Sequence, residues 1–348
     1  MVSSQSPVNA AARPSRSSLF ASRKHWLGWQ GFTLTLPSDW DLAQFGGTQE
    51  KGTLRIDDSD GPRIELRWET PPKSIDLERS IADFLSSLER NAKKKKQRFD
   101  AADHPHIVSK SRKQKAQLVN FGWTGDSDEH LAAHGWGTSW HCAECGRVVV
   151  AHLMGRGGEK PRAAQQLATD IFTSLECHGR GGWQAWSVFG LSVEIPTEFA
   201  LGRAKLQTGK IEIEWARPLP GGLNGWQARP ERIVLQRIAA ANVLLEHEAL
   251  PDWTRRKLLA SDKRTSYGAL SEIAVHGEEA LLFEGAPRQW RQRAVQAARA
   301  KILRQAVPQA QLRVWQSEKA NKILVLETEL TPKNFHVIED VLDSLDYE

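Results

Sequence analysis

Cysteine is scarce in this chain of 348 residues, which has only three. So small and odd a number excludes a disulfide framework as the main source of stability, and it makes a reducing compartment, the cytoplasm, the expected location. No apolar run approaches the roughly 18 residues needed to cross a bilayer. The N-terminus has no apolar core of the kind a secretory signal needs, which argues against Sec-type export. Acids are missing from residues 1–25, which carry Arg13, Arg16, Arg23 and Lys24 among Ser and Ala. That composition is shared by organellar transit segments and by disordered polar tails, and a disordered basic tail is the reading adopted. The motifs HExxH, GxSxG, GxGxxG and the Walker loop do not occur, so no local signature of catalysis is present.

What remains is the composition of an ordinary globular protein. Hydrophobic residues make up 40% and charged residues 26%, and the length suits two domains. The net charge of +5 permits an anionic partner without requiring one.

The chain reads as if written twice. Pro37-Ser38-Asp39-Trp40-Asp41-Leu42 returns as Pro196-Thr197-Glu198-Phe199-Ala200-Leu201, each behind an alternating segment, Phe32–Leu36 and Leu191–Ile195. The ends match too: Asp170-Ile171-Phe172-Thr173-Ser174-Leu175-Glu176 pairs with Asp340-Val341-Leu342-Asp343-Ser344-Leu345-Asp346. Alternation at period two predicts strands at 52–56, 63–68, 116–124 and 133–141, with a further strand near 106–109. Arg147–Leu153 is the strongest strand signal, being β-branched and nearly continuous. Leu77, Ile81, Phe84, Leu85 and Leu88 fall on one face of a helix, as do Leu167, Ile171, Phe172 and Leu175. The second half predicts the same order, closing with a strand at 322–326 and a helix at about 333–345. It also carries an insertion at 286–309, whose Val295, Ala298, Ile302 and Ala306 share a helical face between Pro287 and Pro308.

The expected fold class is therefore α+β: two tandem repeats, each an antiparallel sheet covered by amphipathic helices. The expected domains are 26–178 and 183–348, joined by a Gly-rich linker at 179–182. An opening strand, a Pro with an acidic-aromatic step, a hairpin, a helix, more strands and a terminal helix resemble the PsbP-like superfamily. That superfamily includes the photosystem II extrinsic protein and the Ran-binding nuclear import factor. The resemblance rests on Pro37-Ser38-Asp39-Trp40 and its echo Pro196-Thr197-Glu198-Phe199. It implies a non-catalytic binding or assembly factor with another protein as partner, and it brings no catalytic residues with it.

Two constellations could carry chemistry. Cys142-Ala143-Glu144-Cys145 has the spacing of a turn that offers two thiolates to one metal, and Cys177-His178 follows later. The strand from Arg147 to Leu153 spans about 23 Å. The helix returning over 163–176 spans about 20 Å. An antiparallel pair of matched length brings Cys177 and His178 back beside Cys142 and Cys145, with His178 or His141 as the fourth ligand. Zinc is the metal such a set suits. The matching positions in the second half are Ser317, Ala320 and Tyr347, so the fold itself does not need these cysteines. Small buried hydrophobes and a redox dithiol are the competing readings, although no thioredoxin-like context surrounds the latter.

The second constellation is basic. Lys93, Lys94, Lys95 and Lys96 end the first helix, and Arg288, Arg291, Arg293 and Arg304 lie in a stretch without acids between Glu284 and Glu318. Such clusters can neutralise phosphates of nucleic acid or an anionic surface, and Trp290 could stack on a base. Lysines at a helix C-terminus are equally what the backbone dipole favours. Tryptophan is abundant, with 14 residues against two tyrosines. Its recurrence at Trp26/Trp29 and Trp183/Trp186, and at Trp140 and Trp315, points to packing. The expected function is a non-catalytic binding or assembly factor. The alternatives are a zinc or redox module at the cysteine cluster, and anionic-surface binding through the basic patches.

Overall fold

The computed structural model describes residues 25–71, 76–102, 107, 117–126, 134–219, 230–289, 293, 294, 298 and 306–347. The basic tail, most of the segment near 106–109 and most of the insertion at 286–309 lie outside the described residues, as do Trp290, Arg291 and Arg304. The chain divides into two compact units, Met1–Phe189 and Gly190–Glu348.

In the first unit the strands are β1 (Trp26–Trp29), β2 (Phe32–Thr35), β3 (Asp41–Gly47), β4 (Lys51–Asp58), β5 (Gly61–Glu69), β6 (Phe99–Ala102), β7 (Gln117–Gly125), β8 (His134–His141), β9 (Val148–Met154) and β10 (Trp183–Val188). Its helices are α1 (Leu77–Lys94) and α2 (Pro161–Ser174). Seven strands form one antiparallel sheet in the order β3-β4-β5-β9-β8-β7-β6. A smaller sheet is built from β2, β1 and β10. The turn between β1 and β2 is two residues long, with Gln30 at φ 50° and Gly31 at φ 86°. Two positive φ values in succession make the hairpin turn whose twist matches its strands.

Central strand β9 is buried on both faces: Val149, Ala151 and Leu153 point one way, Val148 and His152 the other. Helix α1 covers the second face. Its Phe84 ring lies 5.6 Å from Phe121 and 5.3 Å from His152. Helix α2 buries Ala164, Ala168, Ile171 and Phe172, one stripe at helical spacing, and packs on β2, β8 and β9.

His152 is 3% exposed, and burial pushes its imidazole down to about 4, with Glu65 opposing and Arg67 assisting. The folded value lies below the unfolded one of about 6.5, so the native state binds fewer protons between them. Stability is complete above about pH 6.5 and falls as the pH drops through that window. The shift corresponds to a loss of about 3 kcal/mol by pH 4. Chemical denaturation across this range should show a shallower loss in His152→Gln than in the parent, and parallel curves would contradict the assignment.

The second unit contains β11 (Leu191–Pro196), β12 (Ala200–Gln207), β13 (Lys210–Arg217), β14 (Glu231–Ala239), β15 (Thr265–Val275), β16 (Glu278–Pro287), β17 (Gln309–Ser317) and β18 (Lys322–Leu330). Its helices are α3 (Ala241–Leu244), α4 (Leu250–Thr254) and α5 (His336–Ser344), with α4 continuing as a wider turn over Arg255–Leu259. The sheet order is β12-β13-β14-β18-β17-β16-β15, again antiparallel throughout. Trp253 of α4 and Ala241 of α3 join Leu281, Phe283, Leu312, Val314, Ile323 and Val325 in one core cluster.

The expected α+β class of two helix-covered repeats is corrected by these elements. The described residues are dominated by antiparallel strands arranged in three sheets, and helices are few. Among the described residues, the helical cover of the second unit consists mainly of one-turn α3, five-residue α4 with its continuing turn, and nine-residue α5. The short apolar-spaced piece around Asp252–Ala260 is helical, and it forms a plug over the sheet rather than a long cover. The small sheet was invisible because its pairing of Gly28 with Ser187 joins residues far apart in sequence.

Sheet edges are blunted. Edge strands β3, β12 and β15 each carry a register shift, at Leu42/Gln44, Leu201/Arg203 and Tyr267/Leu270, and β6 has only four residues. Bulges and short edges oppose strand addition by another chain.

Candidate functional site

The loop between β8 and β9 closes tightly. Cys142 donates its N–H to Arg147 O at 2.8 Å, and Gly146 donates to Cys142 O at 2.9 Å. Gly146 has φ +71°, a left-handed conformation that costs glycine least. This turn holds Cys142 and Cys145 on one side. Beyond α2 the chain runs antiparallel to β2, with Glu176 and Thr33 exchanging backbone hydrogen bonds at 2.9 and 3.2 Å. That pairing delivers Cys177 and His178 to the same place.

The three sulfurs and a ring nitrogen of His178 all lie within 4.8 Å of one another. Cys145 Sγ is 3.8 Å from Cys177 Sγ; His178 Nδ1 is 3.5 Å from Cys142 Sγ and 3.6 Å from Cys177 Sγ. Cys142 and Cys177 are buried and Cys145 is half-buried; none is in a disulfide. Of the two histidines left open by the sequence, His178 joins the cysteines, while His141 sits in β8 opposite Val148. Hydrogen bonds from the Cys145 and Cys177 thiols lower the Cys142 thiol, and the same contact with Cys142 raises Cys145.

Two contributors were missed in the sequence. Glu144 places Oε2 2.7 Å from His178 Nε2. Arg147, buried, donates from Nη1 to Gln30 O at 3.0 Å and to Cys177 O at 2.9 Å, and lies 5.1 Å over the Phe32 ring. A lone cation opening an apolar strand was the available hint for Arg147. In the second unit the corresponding contact is Lys322 Nζ to Tyr347 O, and Tyr347 packs by its ring against Trp315 and His276. An aromatic plug there occupies the place that sulfur holds in the first unit.

The basic residues are less organised. Lys93, Lys94, Lys95 and Lys96 are exposed at the end of α1, where Lys93 pairs with Glu89 at 2.8 Å. Lys95 also borders a cavity of about 370 Å³ with Arg98, Phe99, Trp123 and His152. Arg288 is exposed and donates to Asp262 O at 2.7 Å, and Arg293 is exposed. Arg313, in the same acid-free stretch between Glu284 and Glu318, is instead 9% exposed within β17 and pairs with Glu339.

A further surface feature escaped the sequence. Val243 is 65% and Leu244 37% exposed, and with Phe189 they are the exposed large hydrophobic side chains among the described residues. The Val243–Leu244 turn is hydrogen-bonded at its start. Ala240 enters it at φ 58°, and Asn321, itself at φ 52°, accepts from Ala241 N–H at 3.2 Å and Asn242 N–H at 2.8 Å.

No family model matches the sequence, and no curated protein matches it. Solved structures similar to the chain include the T6SS immunity protein TplEi from Pseudomonas aeruginosa complexed with an "L" peptide. It has 10% identity, covers 93% of this chain and 97% of that one, and gives a TM-score of 0.30. The Tle4–Tli4 complex is also similar, with 10% identity, 93% and 96% coverage and a TM-score of 0.31.

Neither structure is a PsbP-like domain, and the PsbP-like reading is corrected. Its motif is a generic turn: Trp40 N–H bonds to Pro37 O at 3.2 Å and Phe199 N–H to Pro196 O at 3.0 Å. Any Pro-led turn feeding an edge strand would give the same signature. No helix among the described residues is long and apolar enough to cross a membrane.

Proposed function

We propose that the protein is a non-catalytic binding factor for another protein, anchored through the Val243–Leu244 tip. The observation that supports this most is the exposure of that apolar pair on a turn tied down at its start. A left-handed Ala costs roughly 1–2 kcal/mol, and Ala240 adopts that conformation at φ 58°, ψ 47°. Strain of this kind gathers where surrounding structure holds a functional shape. Ala241 is fully buried and Leu245 packs on the core cluster, so the tip is tied to the sheet of its own unit. A preorganised apolar tip loses little entropy on docking, which favours protein recognition.

The test isolates the full chain under native conditions from its own cells and quantifies bound proteins. The parent is expected to hold one protein near stoichiometry. Val243→Asp/Leu244→Asp should lose it by at least about tenfold, a cost of about 1.4 kcal/mol. Glu272→Gln, exposed on β15, should retain it. Equal recovery by the tip variant would overturn the proposal.

A further inference from the structure

We infer that Cys142, Cys145, Cys177 and His178 form a closed structural zinc site, with Glu144 setting the histidine and Arg147 balancing the charge. The argument begins with geometry. Zinc at tetrahedral corners takes sulfur at about 2.3 Å and nitrogen at about 2.0–2.1 Å. Those bonds set S···S at about 3.8 Å and S···N at about 3.5 Å in a regular tetrahedron. The site has 3.8 Å between Cys145 and Cys177 sulfurs, and 3.5 and 3.6 Å from His178 Nδ1 to Cys142 and Cys177. Sulfurs joined as a disulfide would stand about 2.05 Å apart, so the pair is not bonded, and its spacing matches that of two ligands on one ion.

The partner behind the histidine gives an independent observation. His178 Nε2 faces Glu144 Oε2 at 2.7 Å, so the ring proton sits on Nε2 and is donated to the carboxylate. The lone pair is left on Nδ1, which faces the sulfurs. A carboxylate behind a ligating histidine is the outer arrangement that fixes ring orientation and raises ligand basicity.

Charge closes the argument. Zinc entry exchanges three thiol protons for one Zn²⁺: three Cys–SH and a neutral imidazole yield a complex of net charge −1 and release three H⁺. A buried anion needs a partner. The Arg147 guanidinium, held by Cys177 O and Gln30 O, supplies one positive charge beside it. Four protein donors fill the tetrahedron and leave no position for water or substrate, the mark of a structural rather than a catalytic site.

The test uses full-length protein purified in reductant without a metal-affinity tag. Metal analysis should find one zinc per chain, with all three thiols protected until a chelator is added. Cobalt exchanged into the chain should show thiolate-to-metal charge transfer and tetrahedral ligand-field bands. Cys142→Ser/Cys177→Ser should lose the metal. Because that variant could unfold, Glu144→Gln provides a second reading: Glu144 is 72% exposed, so the fold is spared. Its zinc affinity, measured by competition with a chromophoric chelator, should fall by about 10–100-fold. Zinc-free protein after reconstitution, zinc retained by the double cysteine variant, or unchanged affinity in Glu144→Gln would overturn the inference.

Discussion

Removing zinc from the intact chain with a strong chelator at neutral pH is expected to lower its first melting transition by roughly 8–16 °C. The magnitude follows from the loop the metal closes. Cys145 and Cys177 are 32 residues apart. A cross-link over that distance removes about 4 kcal/mol of chain entropy from the unfolded state by the relation used for disulfides. Each kcal/mol moves the melting point of a unit this size by about 2–4 °C. Hydrogen exchange localises the effect. Amides of the β8–β9 turn and of the Thr33–Glu176 pairing should lose protection, because both lead into the ligand set. Amides of β17 and β18 should not change, since the equivalent turn there contains no sulfur. Identical melting with and without chelator would remove the structural role assigned to the metal.

The sequence exposed some of this and hid the rest for definable reasons. Helix α1 was legible because Leu77, Ile81, Phe84, Leu85 and Leu88 all face one surface, and β9 because an unbroken apolar run is what a strand covered on both faces requires. Edge strands β3 and β12 were missed. Most of their side chains meet solvent, so they carry no alternation to read. Trp26, Trp29, Trp183 and Trp186 were recognised as packing residues, yet their small sheet depends on a long-range pairing that no local pattern records. The cysteine cluster was legible because strand and helix lengths alone return Cys177 to Cys145. Glu144 was hidden because an exposed acid between two cysteines resembles any loop residue. The Val243–Leu244 tip was hidden because its meaning comes from the backbone of Ala240, and alanine is not a residue that announces a positive φ.

The second large effect belongs to the other unit. Arg232→Met is expected to destabilise the protein by about 3–5 kcal/mol at pH 7.5. Arg232 on β14 is 7% exposed and faces three acids from adjacent strands. Its Nη2 contacts Glu327 and reaches Glu329 Oε1 at 3.1 Å, while Nη1 is 3.7 Å from Glu214 Oε2. Removing the cation leaves buried carboxylates without their partner, the costly way to break such a cluster.

The pH dependence gives the sign. Burial pushes Glu327 up, and Arg232 opposes that shift. Without the arginine the folded value rises further above the unfolded one, so the variant binds more protons folded than unfolded as pH falls. Its stability is therefore present below the unfolded value and lost as pH rises through the folded one. The gap between parent and Arg232→Met should narrow steadily from pH 7.5 towards pH 5 in urea denaturation. Adding Glu327→Gln to Arg232→Met should recover part of the loss at pH 7.5 and flatten the pH dependence. A gap constant with pH would mean that the arginine acts through packing alone, because the apolar packing of its side-chain stem binds no proton.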